Sequence, residues 1–248
     1  MRKNVISAVA LLLMGAAQTA LSQGIVVNKT DGTKVYYKAS EVESVTTYGY
    51  GETPSYTTCP DANHPHLIDL GLPSGTKWAC CNVGASAPEE YGDYYAWGET
   101  SPKSVYSWDT YLYGYYNDDG DYSHLVDIGS DIAGTQYDAA TANWGSPWCM
   151  PSQAQIKELT ESCTSTWTTQ NDVKGRKFVG PNGGTVFLPA AGYRWIGELY
   201  FAGSYGDYWS STLYESGPLN AYDLNFDSGG AGWDYYDRRV GRTVRPVR

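Results

Sequence analysis

Past its first twenty or so residues, this chain never holds one hydrophobic period for long, and that property excludes most folds. Glycine and proline recur throughout, 28 and 12 residues respectively, and each interrupts helices and ladders. No segment after residue 22 approaches the roughly 18 apolar residues of a membrane-spanning helix. What remains is short strands joined by long loops, in a length of 248 residues that suits one or two domains.

The start is the exception. Arg2 and Lys3 precede an apolar run from Val5 to Ala17, and Ala20-Leu21-Ser22 is a small-x-small site before Gln23. Residues 1–22 therefore read as a secretory signal, which places the mature chain outside the cell or on its surface. No Cys follows the apolar run, so a lipid anchor is not indicated. Residues 23–48 read as a small β-hairpin segment. Gly24-Ile25-Val26-Val27 and Lys34-Val35-Tyr36-Tyr37 are β-prone, with Asp31-Gly32 as a turn between them, and Ser40 to Thr47 adds a third short run. The stretch 49–60, rich in Gly, Pro, Ser and Thr, reads as a linker. Residues 61–248 read as one domain.

Charge narrows the partners. The formal charge is −10, about −12 once Arg2 and Lys3 are removed, so a nucleic-acid backbone is excluded for want of a basic surface. Cys59, Cys80, Cys81, Cys149 and Cys163 contain no C-x-x-C, and the adjacent Cys80-Cys81 lacks zinc-ligand spacing. An exported chain permits disulfides, and an odd count leaves one thiol over. Structural cysteines, no metal and no cofactor are expected.

Inside the domain the clearest helix is 152–162. Ser152 and Gln155 form a capping box after Pro151, and Ile156, Leu159 and Cys163 make a stripe that points Cys163 into the core. A weaker helix lies around Thr135 to Ala142. Residues 91–137 carry ten tyrosines and the acidic patch 117–121 with little periodicity. The C-terminal third is all β. Thr185 to Leu188 stops at Pro189, and Thr243 to Val247 closes the chain. Along Ala221 to Asp227, Tyr222, Leu224 and Phe226 take one face and Asp223, Asn225 and Asp227 the other.

Several strings then occur together in order. They are Gly75-Thr76-Lys77-Trp78-Ala79, Cys81-Asn82-Val83-Gly84-Ala85 and Tyr94-Tyr95-Ala96-Trp97-Gly98-Glu99-Thr100. Trp148-Cys149-Met150-Pro151, Phe187-Leu188-Pro189-Ala190-Ala191-Gly192, Tyr208-Trp209-Ser210-Ser211 and Val244-Arg245-Pro246-Val247 follow. The set resembles the Fibrobacter succinogenes major paralogous domain, a family of secreted bacterial modules. That resemblance implies an α+β, C-type-lectin-like fold: two helices, a small twisted antiparallel sheet and long loops. The stretch from Tyr208 to Arg248 also resembles the variable region of retroelement-diversified proteins displayed on this fold. In such regions, binding positions scatter over Tyr, Asp, Asn, Ser and Gly.

The ligand-binding candidates that follow are Tyr214, Asn220, Asp223, Asn225, Asp227, Trp233, Tyr235, Tyr236, Asp237 and Arg238. Tyr235 to Arg238 reads as a polar loop carrying two aromatics beside an arginine, which are interface-enriched types. The Tyr-rich loop 106–122 is expected at the rim. Trp78, Trp97, Trp144, Trp148 and Trp209 fall in scaffold strings and read as core. Patch 117–121 does not fit an EF-hand, and the calcium strings of sugar-binding lectins are missing. No Gly-x-Ser-x-Gly, His-Glu-x-x-His or Walker string occurs, so no catalytic residue is assigned. The expected function is a non-catalytic module binding a protein or glycan at a surface through residues 213–239. The alternatives are a structural or adhesive component assembling through its N-terminal strands, and a carbohydrate-binding surface protein.

Overall fold

The structure, a computed structural model, describes residues 24–28, 34–38, 67–115 and 124–248. The chain divides into two units, Met1–Gly51 and Glu52–Arg248. In the first, β1 (Gly24–Asn28) and β2 (Lys34–Lys38) pair antiparallel, with Gly24 opposite Lys38 and Asn28 opposite Lys34. These are the two β-prone runs of the sequence. The leader 1–22, the turn Asp31-Gly32, the run 40–47, the linker 49–60 and the acidic patch 117–121 lie outside the described residues.

The second unit begins with two short pairs, β3 (Leu67–Asp69) with β4 (Lys77–Ala79) and β5 (Gly114–Tyr115) with β6 (His124–Leu125). Helices α1 (Ala139–Trp144) and α2 (Gln153–Ser162) come next. A meander follows, of β7 (Thr164–Gln170), β8 (Val173–Val179) and β9 (Thr185–Pro189). Then come the hairpin β10 (Tyr193–Trp195) and β11 (Glu198–Tyr200). The last sheet is β12 (Gly206–Leu213), β13 (Asn220–Phe226) and β14 (Ala231–Asp237), hydrogen-bonded in that order.

This architecture corrects the expected α+β, C-type-lectin-like fold. Among the described residues the chain is mostly β, 37% strand against 11% helix, and its strands form several small antiparallel sheets. The two helices are only 6 and 10 residues long. Turn residues end each ladder after a few pairs, so no single sheet grows large enough to define a lectin-like layer. A second correction concerns residues 243–247, which form no regular strand. They bridge three separate partners, Thr243 to Tyr208 and Val247 to both Trp78 and Cys149.

Both helices start where a side chain can cap them. Ser152 and Gln155 make the anticipated capping box, and Ile156 and Leu159 are buried. Cys163 is the C-cap of α2, half-buried against the core. The weaker helix begins at Ala139 and not at Thr135, because Asp138 is its N-cap. One Asp138 oxygen accepts from the Ala140 and Thr141 amides at 2.8 and 3.0 Å, the other from Gly134 and Met150.

Three groups of buried side chains form the core. The first joins Trp78, α2, β8, β9 and the inner end of β13, and the second surrounds Trp97 and Trp209. The third contains Tyr94, Ala96, Tyr106, Trp108 and Tyr111. Tyr106 and Tyr111 are thus core residues, which corrects their expected place on an exposed rim. Trp148 is buried as well, and Trp144 is half-buried.

The β10–β11 hairpin closes through Ile196 and Gly197, at φ 45° and 84°. A two-residue turn with both φ values positive matches strand twist, but it strains a β-branched residue. Ile196→Asn is expected to stabilise the chain by about 1 kcal/mol, since Asn tolerates this region. The check is a higher urea midpoint at unchanged denaturant slope.

Candidate ligand-binding surface

Residues directly opposite each other in an antiparallel sheet share a face. The pairs Tyr222–Tyr235, Leu224–Trp233, Phe226–Ala231 and Tyr208–Leu224 define one face of the C-terminal sheet. Ala221–Tyr236, Asp223–Asp234 and Trp209–Asp223 define the other.

On the first face, Tyr208, Leu224 and Phe226 pack with Ile156 and Leu159 of α2. Toward the opposite strand ends the rings lie open. Tyr214 and Tyr235 stack with centroids 3.9 Å apart and planes 7° from parallel. Tyr222 stands edge-on to Tyr214 at 5.5 Å and to Trp233 at 5.8 Å. Trp233 is 44% exposed and Tyr235 42%.

The second face hides its charges. Arg242 Nη1 donates to Asp207 Oδ1 at 2.8 Å and also to Asp223 Oδ2, and all three side chains are buried. The guanidinium lies 4.6 Å from the Tyr236 ring, 5.1 Å from Trp209 and 5.9 Å from Tyr193. Tyr236 covers this group and is itself 43% exposed. Tyr193 then continues the ring contacts into the hairpin, stacking on Tyr200 at 5.7 Å and meeting Phe201 at 5.9 Å. Trp195, Ile196, Leu199, Phe201 and Tyr205 are exposed there.

The ten anticipated residues therefore do not form one face. Tyr214, Trp233 and Tyr235 gather on the first, and Tyr236 lies on the second. Two are corrected outright. Asp223 is 1% exposed and committed to Arg242. Arg238 is 2% exposed, with its guanidinium 4.6 Å over the Trp97 ring and Nε donating to the Tyr111 hydroxyl at 2.8 Å. Neither presents a group to solvent. The alternation of β13 places Asp223 opposite Leu224 as anticipated, but β12, β14 and Arg242 bury that side too.

The remaining polar candidates hold local structure. Asn225 donates to Asp207 at 3.2 Å. Asp227 accepts from the Gly229 and Gly230 amides in the β13–β14 turn. Asp237 pairs with Arg239 at 3.0 Å, and the Asn220 carbonyl accepts from the Tyr214 amide at 3.1 Å. Residues 235–237 are strand and not loop. The sequence reading missed the hairpin rings, although Tyr193 to Tyr200 alternates around a Gly-containing two-residue turn, which is a hairpin signal.

Burial raises the Cys149 and Cys163 thiols to about 11, so neither is a ready nucleophile. Among the described residues, no group of three or more His, Cys, Asp or Glu converges to hold a metal ion. No helix among them is long and apolar enough to cross a membrane. One family model matches, a domain of unknown function (DUF8237), over residues 150–247. That span runs from just before α2 to the chain's end and covers less than half of the length. Comparison with curated proteins and with solved structures gave no match.

Loss of hydration pushes Asp223 up to about 6, with Asp207 and Asp234 adding to the rise and Arg242 opposing it. The folded chain then binds this proton more tightly than the unfolded chain, whose Asp titrates near 3.8. The stabilisation from this group is complete below the unfolded value and is lost as pH rises through about 6. Relative to Asp223→Asn, the parent should lose up to about 1.4 kcal/mol per pH unit across that window. Paired urea titrations at pH 4, 5, 6, 7 and 8 measure it. A constant difference would show that Asp223 stays ionised throughout.

Proposed function

We propose that the chain is an exported, non-catalytic binding module that holds a polypeptide partner on the exposed aromatic end of its C-terminal sheet. The observation carrying this reading is β14 itself. Trp233, Tyr235 and Tyr236 are each more than two-fifths exposed on one seven-residue strand, while Trp78, Trp97 and Trp209 are buried. Large rings left open on a rigid strand are costly for solubility and suit a contact surface. Tyr supplies contact area with little rotamer entropy to lose.

A polypeptide is favoured over a glycan by ring geometry and by the neighbours. Tyr214 and Tyr235 cover one face of each other, which reduces the flat platform a sugar ring would stack on. Exposed Ile196, Leu199 and Phe201 offer aliphatic and aromatic contact without hydrogen-bonding groups. The leader-like residues 1–22 support export. Retroelement diversification belongs to this proposal only at exposed positions, because Asp223 and Arg238 cannot vary freely without unpairing buried groups.

Displayed random peptides selected on the full chain, alongside a glycan array, test the reading. Selected peptides should lose about tenfold or more in affinity for Trp233→Ser and Tyr235→Ser, as for interface anchors generally, with unfolding midpoints near the parent's. Saturable glycan binding without peptide binding would overturn the choice of partner.

A further inference from the structure

β14 presents a backbone edge as well as side chains. β14 is the last strand in its sheet, and among the described residues no strand pairs with its far side. The register fixes which backbone groups that edge presents. The Asp227 amide bonds the Gly230 carbonyl at 3.0 Å, and the Arg238 amide bonds the Leu219 carbonyl at 2.9 Å. Hydrogen-bonded pairs recur at every second position of an antiparallel ladder. Between those two bonds, Gly232, Asp234 and Tyr236 therefore turn their amides toward β13, opposite Asn225, Asp223 and Ala221. Trp233, Tyr235 and Asp237 turn theirs outward. Ala231 does so too, but it packs against the core.

We propose that this edge accepts an extended, lysine- or arginine-bearing segment of a partner protein as a fourth strand. The proposal rests on the reading that the partner is a polypeptide, and adds how it binds and what charge it carries. Strand addition at an open edge gives affinity through main-chain bonds and selectivity through alternate side chains. The charge comes from the sequence around the edge. From Trp195 to Asp237 there are seven acidic residues and no lysine or arginine. Within the sheet, Asp207 and Asp223 share the single guanidinium of Arg242, and Asp234 is exposed on the strand itself. A cationic side chain seated beside Tyr236 or Tyr235 would meet both a ring and a carboxylate, the combination that favours cation–π contact. A second copy of this chain fits less well, since its β14 would set Asp234 and Asp237 against the same acids.

One contact makes the edge selective. Asp234 Oδ1 accepts from the outward Tyr235 amide at 2.9 Å, so the carboxylate occupies the donor an incoming strand needs. A lysine or arginine on that strand draws the carboxylate away and uncovers the amide. A neutral or acidic strand does not. Asp234 thus blocks indiscriminate pairing at an edge that would otherwise be a hazard.

The test titrates two blocked heptapeptides, Thr-Lys-Val-Lys-Val-Lys-Thr and its Glu-for-Lys counterpart, into the isotopically labelled full chain. The lysine peptide should bind, slow amide exchange at Trp233, Tyr235 and Asp237, and weaken as salt is raised. Asp234→Lys should reverse the preference toward the glutamate peptide by about tenfold or more, with the backbone untouched. Tyr235→Pro, which removes the ring and an outward amide but no β13 bond, should abolish the protection at Trp233 and Asp237, whereas Tyr235→Ser, which removes the ring alone, should weaken binding and keep the protection pattern at saturating peptide. Equal binding of both peptides, protection elsewhere, or protection that appears with protein concentration alone would overturn the proposal. If library-selected peptides bind and lose affinity for Trp233→Ser and Tyr235→Ser yet leave these amides unprotected, strand addition is wrong and polypeptide binding stands. If no peptide binds at all, the polypeptide reading falls with it.

Discussion

Three buried arginines in the last eleven residues hold this domain together. Arg245 donates to Asn82 and to the carbonyls of Ala79, Cys80 and Pro88. Arg242 joins Asp207 to Asp223, and Arg238 reaches Tyr111 and the Pro218 carbonyl. Each guanidinium thereby ties the C-terminal segment to a different part of the chain. Burying a guanidinium is costly unless most of its donors are paired, and although Arg238 Nη2 and Arg242 Nε find no hydrogen-bond partner, the remaining bonds tie each group in place. The loops around residues 79–88, the C-terminal sheet and the segment near Tyr111 must therefore be in place together. The order of the small sheets depends on these cations more than on any large ladder.

The same logic explains the aromatic composition. Irregular backbone leaves buried carbonyls with accepting capacity that ladders do not fill. Tyr94 donates to Ala191, Tyr208 to Pro189 and Tyr111 to Trp97. Trp97 donates to Ser210 and Trp209 to Tyr95. Phenylalanine could fill those volumes but could not serve those oxygens. A chain with 23 Tyr and 4 Phe is thus using the hydroxyl as a core device. Among the described side chains, Tyr94, Tyr95, Tyr106, Tyr111 and Tyr208 are buried, and Tyr205, Tyr235 and Tyr236 are exposed.

Local chemistry was readable where one residue decided it. Ser152 and Gln155 announced α2, Pro189 ended β9, and the alternation through Leu224 and Phe226 found the inner face of β13. Asp138 moved the start of α1, since its cap depends on Gly134 and Met150 lying near it, which spacing cannot show. The fold class was misjudged because motif strings report core positions and not how many sheets those positions build. The candidate surface was half legible. Tyr214 and Tyr235 do stack, and Tyr222 links them to Trp233, but neighbouring Tyr235 and Tyr236 point to opposite faces, as consecutive strand residues must.

By itself the sequence determined the short elements, their caps, an acidic stretch without cations from 195 to 237, and a surplus of amphipathic aromatics. Those properties belong to single residues or near neighbours. Only the tertiary structure decided which aromatics are exposed, that Asp223 and Arg238 are buried, and that β14 is an edge. Burial and edge position depend on what packs from distant parts of the chain. Here that is a guanidinium from residue 242 covering an aspartate on β13, and the far side of β14 left unpaired among the described residues.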